Sequence, residues 1–390
     1  MIKIIRKAFT YLIVLFPLLS IYYSNISTLT IADILLFLIL PLLLFYLFKN
    51  KVSIKISMFF LIVIFYMILQ MLIYCVLGKM NNAAIFTTLR LILYYFTMCF
   101  FFKNFFDFQE GYKLYKKVAI ISSLYFLFQF ILLNLFDIFI PGTIPFFKSA
   151  TDNYNSIMAS HSWTSSAYAR PRSFFTEPSH FAIYVGLCLA IMLLKKDKKD
   201  IKYIIIITVA MLLSGSGMAI ILTIISYGLF LIKNIKKISK KVILITIIGI
   251  IICIPILNVY LKSESFNIFY TRTFVEKDST EGRFGNFTLA FTSKKDTIST
   301  IFGEGAYKIA DVEGQNYITS IPRVYTYFGI LGMLFFVISM IYYLIKLKEI
   351  NKLSLIVLLA ISFAGEILFH NLLFTYTPYI LCKESRKKYE

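Results

Sequence analysis

"SHFAIYVGLCLAIMLLKKDKKDIKYIIIITVAMLLSGSGMAIILTIISYGLFLIKNIKKISKK" occupies residues 179–241. An apolar run ends in a lysine cluster. Two more runs follow with only a Gly/Ser stretch between them, and a second lysine cluster closes the segment. Continuous apolar runs with short basic punctuation are the pattern of transmembrane helices, not of a soluble core. "LLSGSGM" at 212–218 reads either as a tight turn between two helices or as a break within one longer hairpin. In both readings the two lysine clusters fall on one side of the membrane, and lysine marks the cytoplasmic side.

The same pattern extends over the whole chain. Of 390 residues, 59% are apolar and 15% charged, against about a quarter charged in a soluble domain, and the mean hydropathy is +0.79. Twelve apolar segments are predicted, at about 8–24, 31–48, 56–77, 84–102, 118–140, 179–194, 203–213, 216–232, 242–261, 323–345, 353–369 and 371–382. Residues 203–213 and 371–382 are short for a hydrocarbon slab of about 30 Å at about 1.5 Å per residue. The expected fold is therefore an all-α polytopic membrane protein, a single integral membrane domain over 1–390.

The charge pattern sets an expected orientation. With the N-terminus in the cytoplasm, the segments 1–7, 49–55, 103–117, 195–202, 233–241, 346–352 and 383–390 hold 27 of the 40 Lys and Arg residues. The short outer connections carry only Lys79. Both termini are therefore expected to be cytoplasmic. The net charge of +20 is this topology signal and gives no reason to expect a nucleic-acid partner. The five cysteines lie within or at the ends of apolar runs without metal or C-x-x-C spacing, so they read as packing residues. The N-terminal run lacks a small-x-small cleavage site and reads as an uncleaved first helix.

Two long outer loops, 141–178 and 262–322, are where chemistry is expected, with the spans as scaffold. The first ends in "RPRSFFTEPSHFA" (170–182). Thr176 is a candidate N-cap and Pro178 a candidate first helical residue. Arg170, Arg172, Glu177 and His180 crowd this helix mouth. They read either as an interfacial salt bridge with a first-turn histidine, or as an anion site that also holds a base. In the second loop, Phe284, Phe287 and Phe291 repeat at i, i+3, i+7 beside Arg283, as in an amphipathic helix at the membrane surface. Arg283 is a second candidate anion ligand and Arg272 a weaker one. Arg323 opens a span, as a snorkelling anchor or a further anion ligand. Arg90 sits inside a span near its outer end, where charge is costly and a functional hypothesis by default. "FGEGAY" (302–307) reads as a turn, because it lacks the Lys-Ser/Thr of a phosphate loop. Tyr154, Tyr168, Tyr307 and Tyr317 read as interfacial anchors that could also stack sugars.

The order of these features resembles a known family. A large outer loop ends in "RPRSFFTEPSHFA", a paired-span region has a Gly/Ser turn, and a second large loop bears "GRFGNFTLAF", "IFGEGAY" and "VYTYFGILGMLFF". This set, over roughly residues 85–345, resembles the Wzy-type O-antigen and capsular polysaccharide polymerases, which are similar to the O-antigen ligases. The resemblance implies an all-helical GT-C-like fold in the bacterial cytoplasmic (inner) membrane. It implies a lipid-diphosphate-dependent, inverting glycosyltransferase that joins undecaprenyl-diphosphate-linked oligosaccharide repeat units at the outer face. Arg172, with Arg170 beside it, and Arg283 then correspond to the family's diphosphate-associated loop arginines, with Arg323 a further candidate. Glu177 is the expected base and His180 the reserve. No cofactor or metal is implied, because the donor carries its own activated bond. Membrane lipid, a chain-length regulator and a flippase are implied partners. The ligases carry a histidine shortly before the final G-x-x-G span, and "EGQNYITSIPRVYTYFGILG" (313–332) has none, which argues against ligase. A ligase-like transferase and a flippase or exporter of the same glycan remain the alternatives.

Overall fold

The computed structural model describes residues 2–24, 29–50, 54–78, 82–136, 138, 140–144, 147–149, 171–195, 197–234, 291, 297–305 and 319–384. Among them the regular structure is helical: α1 (Ile2–Leu19), α2 (Ile31–Lys49), α3 (Met58–Val76), α4 (Asn82–Phe100), α5 (Phe102–Phe105), α6 (Phe108–Phe136), α7 (Pro178–Lys195), α8 (Ile201–Leu213), α9 (Gly217–Asn234), α10 (Thr297–Phe302), α11 (Ser320–Lys346), α12 (Glu349–Ala364) and α13 (Leu373–Leu381). An isolated antiparallel bridge joins Tyr22 to Ser149. Five helices, α2, α3, α6, α7 and α11, are long and apolar enough to cross a membrane. This is a helical membrane-embedded protein. The predicted segment 242–261 lies outside the described residues.

Three elements differ most from the sequence reading. Helix α1 spans Ile2–Leu19, where 8–24 was predicted, so it takes in the basic residues read as a connection. Helix α6 begins at Phe108, ten residues before the predicted 118. Asp107 Oδ1 accepts from the backbone N–H groups of Gln109 (3.0 Å) and Glu110 (3.1 Å), which caps a helix inside the charged stretch read as a connection. The predicted segment 353–369 ends early, because α12 stops at Ala364 and Gly365 follows in extended backbone. Helices α12 and α13 form a hairpin. Asn351 Nδ2, near the start of α12, donates to the carbonyls of Tyr379 (2.7 Å) and Cys382 (2.7 Å) at the end of α13.

The chain forms two compact units, one of residues 1–20, 29–114 and 280–390, the other of 21–28 and 115–279. In the first unit, α1 packs against α2 and α13, α3 against α4, and α11 against α10 and α12. Phe16 stacks on Phe374 with centroids 4.1 Å apart. Asp33 is buried in the first turn of α2, where it forms a capping box with Thr30. It accepts from Tyr94 OH (2.6 Å) and pairs with Arg90 Nη2 (2.8 Å). The intramembrane arginine thus has a dedicated carboxylate, which lowers the cost of its position.

Helix α11 is broken at Gly329 (φ 64°, ψ −165°). The break frees carbonyls that would otherwise be orphaned in hydrocarbon. Each has a new partner. Thr326 O accepts from Glu304 N (2.7 Å), and Tyr327 O from Gly305 N (3.1 Å) and Gln70 Nε2 (2.5 Å). Phe328 O accepts from Tyr66 OH (2.8 Å). The Tyr66 hydroxyl also stands 2.9 Å from Phe302 O and shares its one proton between the two carbonyls, while Gln70 Nε2 donates its second hydrogen to Phe302 O (2.7 Å) and Tyr74 OH donates to Gly303 O. Of the predicted turn at 302–307, Ala306 and Tyr307 lie outside the described residues; Gly303–Gly305 leaves α10 with both glycines at positive φ and docks backbone to backbone on the break.

In the second unit, α7 is buried from Phe181 to Leu193 without interruption. A helix apolar all round belongs in a core, and α8 and α9 pack on it. The Gly/Ser stretch is a turn at Ser214–Ser216 with Gly215 at φ 58°. Thr208 Oγ1, on the helix before that turn, and Tyr227 OH, on the helix after it, meet at 2.9 Å, so α8 and α9 are an antiparallel hairpin.

Candidate functional site

The start of α7 is held by a loop with an unusual backbone. Ser173 adopts φ 56°, a left-handed conformation uncommon outside glycine. Its surroundings fix it. Gln129 Oε1, projecting from α6, accepts from Ser173 N (2.7 Å) and Arg172 N (3.3 Å), while Gln129 Nε2 donates to Ile140 O (2.7 Å). Ser173 Oγ donates to Ser122 O (2.7 Å). Residues 140–142 press so closely on this turn that a Cβ on Gly142 would lie 1.6 Å from Ser173 O. Phe174 stacks on Tyr125 at 4.6 Å. Strained backbone that its surroundings over-determine is concentrated at functional sites.

This turn carries three of the predicted residues together. Arg172 is 5% exposed, and its Nη1 donates to Thr176 O (3.2 Å). Glu177, not the predicted Thr176, is the capping residue: α7 begins at Pro178, and Glu177 O accepts the first intrahelical bond from Phe181 N (3.1 Å). Thr176 is drawn away because its hydroxyl meets His180 Nδ1 at 2.6 Å. Ser179 Oγ donates to Glu177 Oε2 (2.8 Å). Glu177, Ser179 and His180 are half-buried. A carboxylate and an imidazole, each oriented by a hydroxyl, thus stand at the positive end of a helix dipole, one turn from a fixed guanidinium.

Arg323 belongs to the first unit. Its Nη2 pairs with Glu366 Oε1 (2.8 Å), so the arginine is tied to the α12–α13 turn. Arg170, Arg272 and Arg283 lie outside the described residues, as do Phe284, Phe287 and the four tyrosines. Phe291 is helical and stacks on Tyr325 at 4.7 Å. Among the described residues no group of His, Cys, Asp and Glu gathers as metal ligands would.

The sequence reading passed over Gln129, Asp33 and Glu366. Each is a lone polar residue in or beside an apolar run, which is the signal that would have found it. Gln129→Leu is expected to leave two buried backbone N–H groups unpaired and to lower stability by about 2 kcal/mol. Gln129→Glu keeps the acceptor and should cost less. Thermal melting of the detergent-solubilised protein reads the difference, and equal melting of Gln129→Leu and wild type would remove Gln129 as the organiser of this turn.

The chain matches none of the protein-family models and no curated protein.

Proposed function

We propose that this protein is a polysaccharide polymerase, joining undecaprenyl-diphosphate-linked repeat units at the outer face of a bacterial cytoplasmic membrane within a GT-C-like bundle of about twelve spans. The observation that carries the reading is the over-determined turn at Ser173, which fixes Arg172 one turn from Glu177 and His180 at the mouth of a buried apolar helix. A lipid-linked diphosphate arrives where hydrocarbon meets water, and a helix mouth at that boundary is where opposing charge acts on it. The ordered sequence resemblance supplies the substrate class.

In this reaction the acceptor hydroxyl attacks the anomeric carbon of the donor. The bond from that carbon to the diphosphate oxygen breaks, and undecaprenyl diphosphate leaves with the electron pair. Glu177 takes the hydroxyl proton or orients the acceptor, with His180 in reserve. Arg172 gains more from the leaving oxygen as its negative charge grows, and its fork meets two oxygens at once. Single displacement inverts the anomeric configuration. Arg170, Arg283 and Arg323 are assigned to diphosphate on the resemblance alone.

Gene deletion tests the class. A polymerase deletion leaves single lipid-linked repeat units on the outer face, and the wild-type gene restores long chains on a polysaccharide gel. Repeat units trapped on the cytoplasmic side would make the protein a flippase. Long lipid-linked chains that never reach their final acceptor would make it a ligase.

A further inference from the structure

In the second unit, an open cleft of about 810 Å³ lies where α8 begins, within the range of about 300–1,000 Å³ typical of ligand sites. An ion pair forms one wall. Lys116 Nζ, from α6, reaches both carboxylate oxygens of Asp200 (2.9 and 3.2 Å), and Asp200 is buried. The 3₁₀ turn Lys198–Asp200 leads into α8. Asp197 holds that turn. Its Oδ1 accepts from Lys199 N (3.0 Å) and its carbonyl from Asp200 N (2.9 Å). Lys199 and Lys202 also line the cleft, both exposed. With Asp200 neutralised by Lys116, these two lysines stand against a single carboxylate, Asp197, so the cleft is net positive. Lys202 Nζ lies 4.9 Å from the centroid of the Tyr203 ring, and a Lys-Tyr pair at the end of an apolar helix marks the head-group level of a bilayer.

On its other side the cleft turns to hydrocarbon. Ile201 and Ile205 line it and are 55% and 57% exposed. Val209 and Leu212 are exposed too and continue the same face of α8. From Ile201 to Leu212 this stripe runs about 17 Å at about 1.5 Å per residue, close to one leaflet of a hydrocarbon slab of about 30 Å. A basic cleft at the head of an apolar stripe one leaflet long matches both parts of a phospholipid, an anionic head and an acyl chain. A free anion would leave the stripe bare, and an apolar partner helix would leave the lysines without a counter-charge.

We infer that this cleft binds an anionic phospholipid, its phosphate between Lys199 and Lys202 and one acyl chain along Ile201, Ile205, Val209 and Leu212. The lipid ties the α8–α9 hairpin to the leaflet at its lysine-bearing end. This site is independent of the polymerase reading.

The test uses the full-length protein in dioleoylphosphatidylcholine nanodiscs doped with a phosphatidylglycerol that carries a diazirine in its acyl chain, with label mapped by mass spectrometry. Label is expected between Ile201 and Leu212. Dioleoylphosphatidylglycerol should compete it away, whereas dioleoylphosphatidylethanolamine at the same mole fraction and excess inorganic phosphate should not. Lys199→Gln with Lys202→Gln should weaken that competition about 25-fold, about fivefold for each lysine at a membrane surface. Asp197→Asn removes the opposing charge, keeps an acceptor for Lys199 N, and should strengthen it. Lys348→Gln with Lys352→Gln takes the same charge from the start of α12 and should change nothing. The side chains changed are all exposed, so each variant should melt like wild type in detergent. Equal protection by inorganic phosphate would make this a free-anion site, and equal competition by phosphatidylethanolamine an ordinary acyl-chain surface. An equal loss in the α12 pair would show diffuse charge rather than a site. Each of these results, or wild-type protein without label on α8, would overturn the inference.

Discussion

Arg172→Ala protein is expected to reach the membrane at normal levels and, on the polymerase reading, to fail to build long chains. One N–H of Arg172 meets the Thr176 carbonyl at 3.2 Å. The main anchors of that turn are the bonds of Gln129 and Ser122 to the backbone and side chain of Ser173, and these remain. What is lost is the charge facing the proposed leaving group. By analogy with donors to a developing oxyanion, that loss slows the reaction by about 10²–10³-fold, enough to empty a polysaccharide ladder of long products. Arg172→Lys restores charge but not the fork, and recovers only part of the rate. Glu177→Ala should behave like Arg172→Ala, and it also removes the acceptor of the Ser179 hydroxyl. Glu177→Gln keeps the acceptor for Ser179 and isolates the proton-accepting role. Full-length chains from both alanine variants, at normal membrane levels, would remove this turn from the chemistry.

The membrane class was legible because apolar runs and lysine clusters report it directly, and α2, α3, α7, α9 and α11 fall within a few residues of their predicted positions. Elements whose ends depend on a single side chain were not legible. The start of α6 depends on the carboxylate of Asp107, and nothing in the apolar pattern announces it. The α12–α13 turn begins five residues before the break that the sequence reading places between 369 and 371, because Gly365 and Glu366 end α12 inside a stretch otherwise rich in apolar residues. At the site, the grouping of Arg172, Glu177 and His180 followed from their closeness in sequence. The strain at Ser173 did not, because it depends on Gln129 and Gly142, both more than 30 positions away. The glycines of "FGEG" and "YFGILG" were visible only as turn signals. Their shared purpose, two backbones in contact, is a long-range fact.

That contact sets the largest expected loss of stability. Gly329→Val should leave little folded protein. Valine at φ 64° is an outlier for a β-branched residue. Its Cβ would also stand 2.3 Å from Ile301 O, a backbone atom that no rotamer change can move. Gly303→Ala meets the reciprocal obstacle, with a Cβ 2.3 Å from Tyr327 O at φ 81°. Forcing the segments apart also strips Thr326 O and Tyr327 O of their Glu304 and Gly305 donors in a region without water, so each change should cost more than about 4 kcal/mol, the range reserved for a broken core. Gln70→Leu should be milder, because Tyr327 O keeps its bond from Gly305 N. Gly228→Ala is the contrast: its added Cβ meets nothing within 4 Å, and alanine favours a helix by about 1 kcal/mol over glycine. Melting of the four detergent-solubilised variants should therefore rank Gly228→Ala at or above wild type, Gln70→Leu below it, and both lock glycines lowest. A Gly329→Val protein that melts like wild type would mean that the break in α11 is not held by the turn that docks on it, and the carbonyls of residues 326–328 would need other partners.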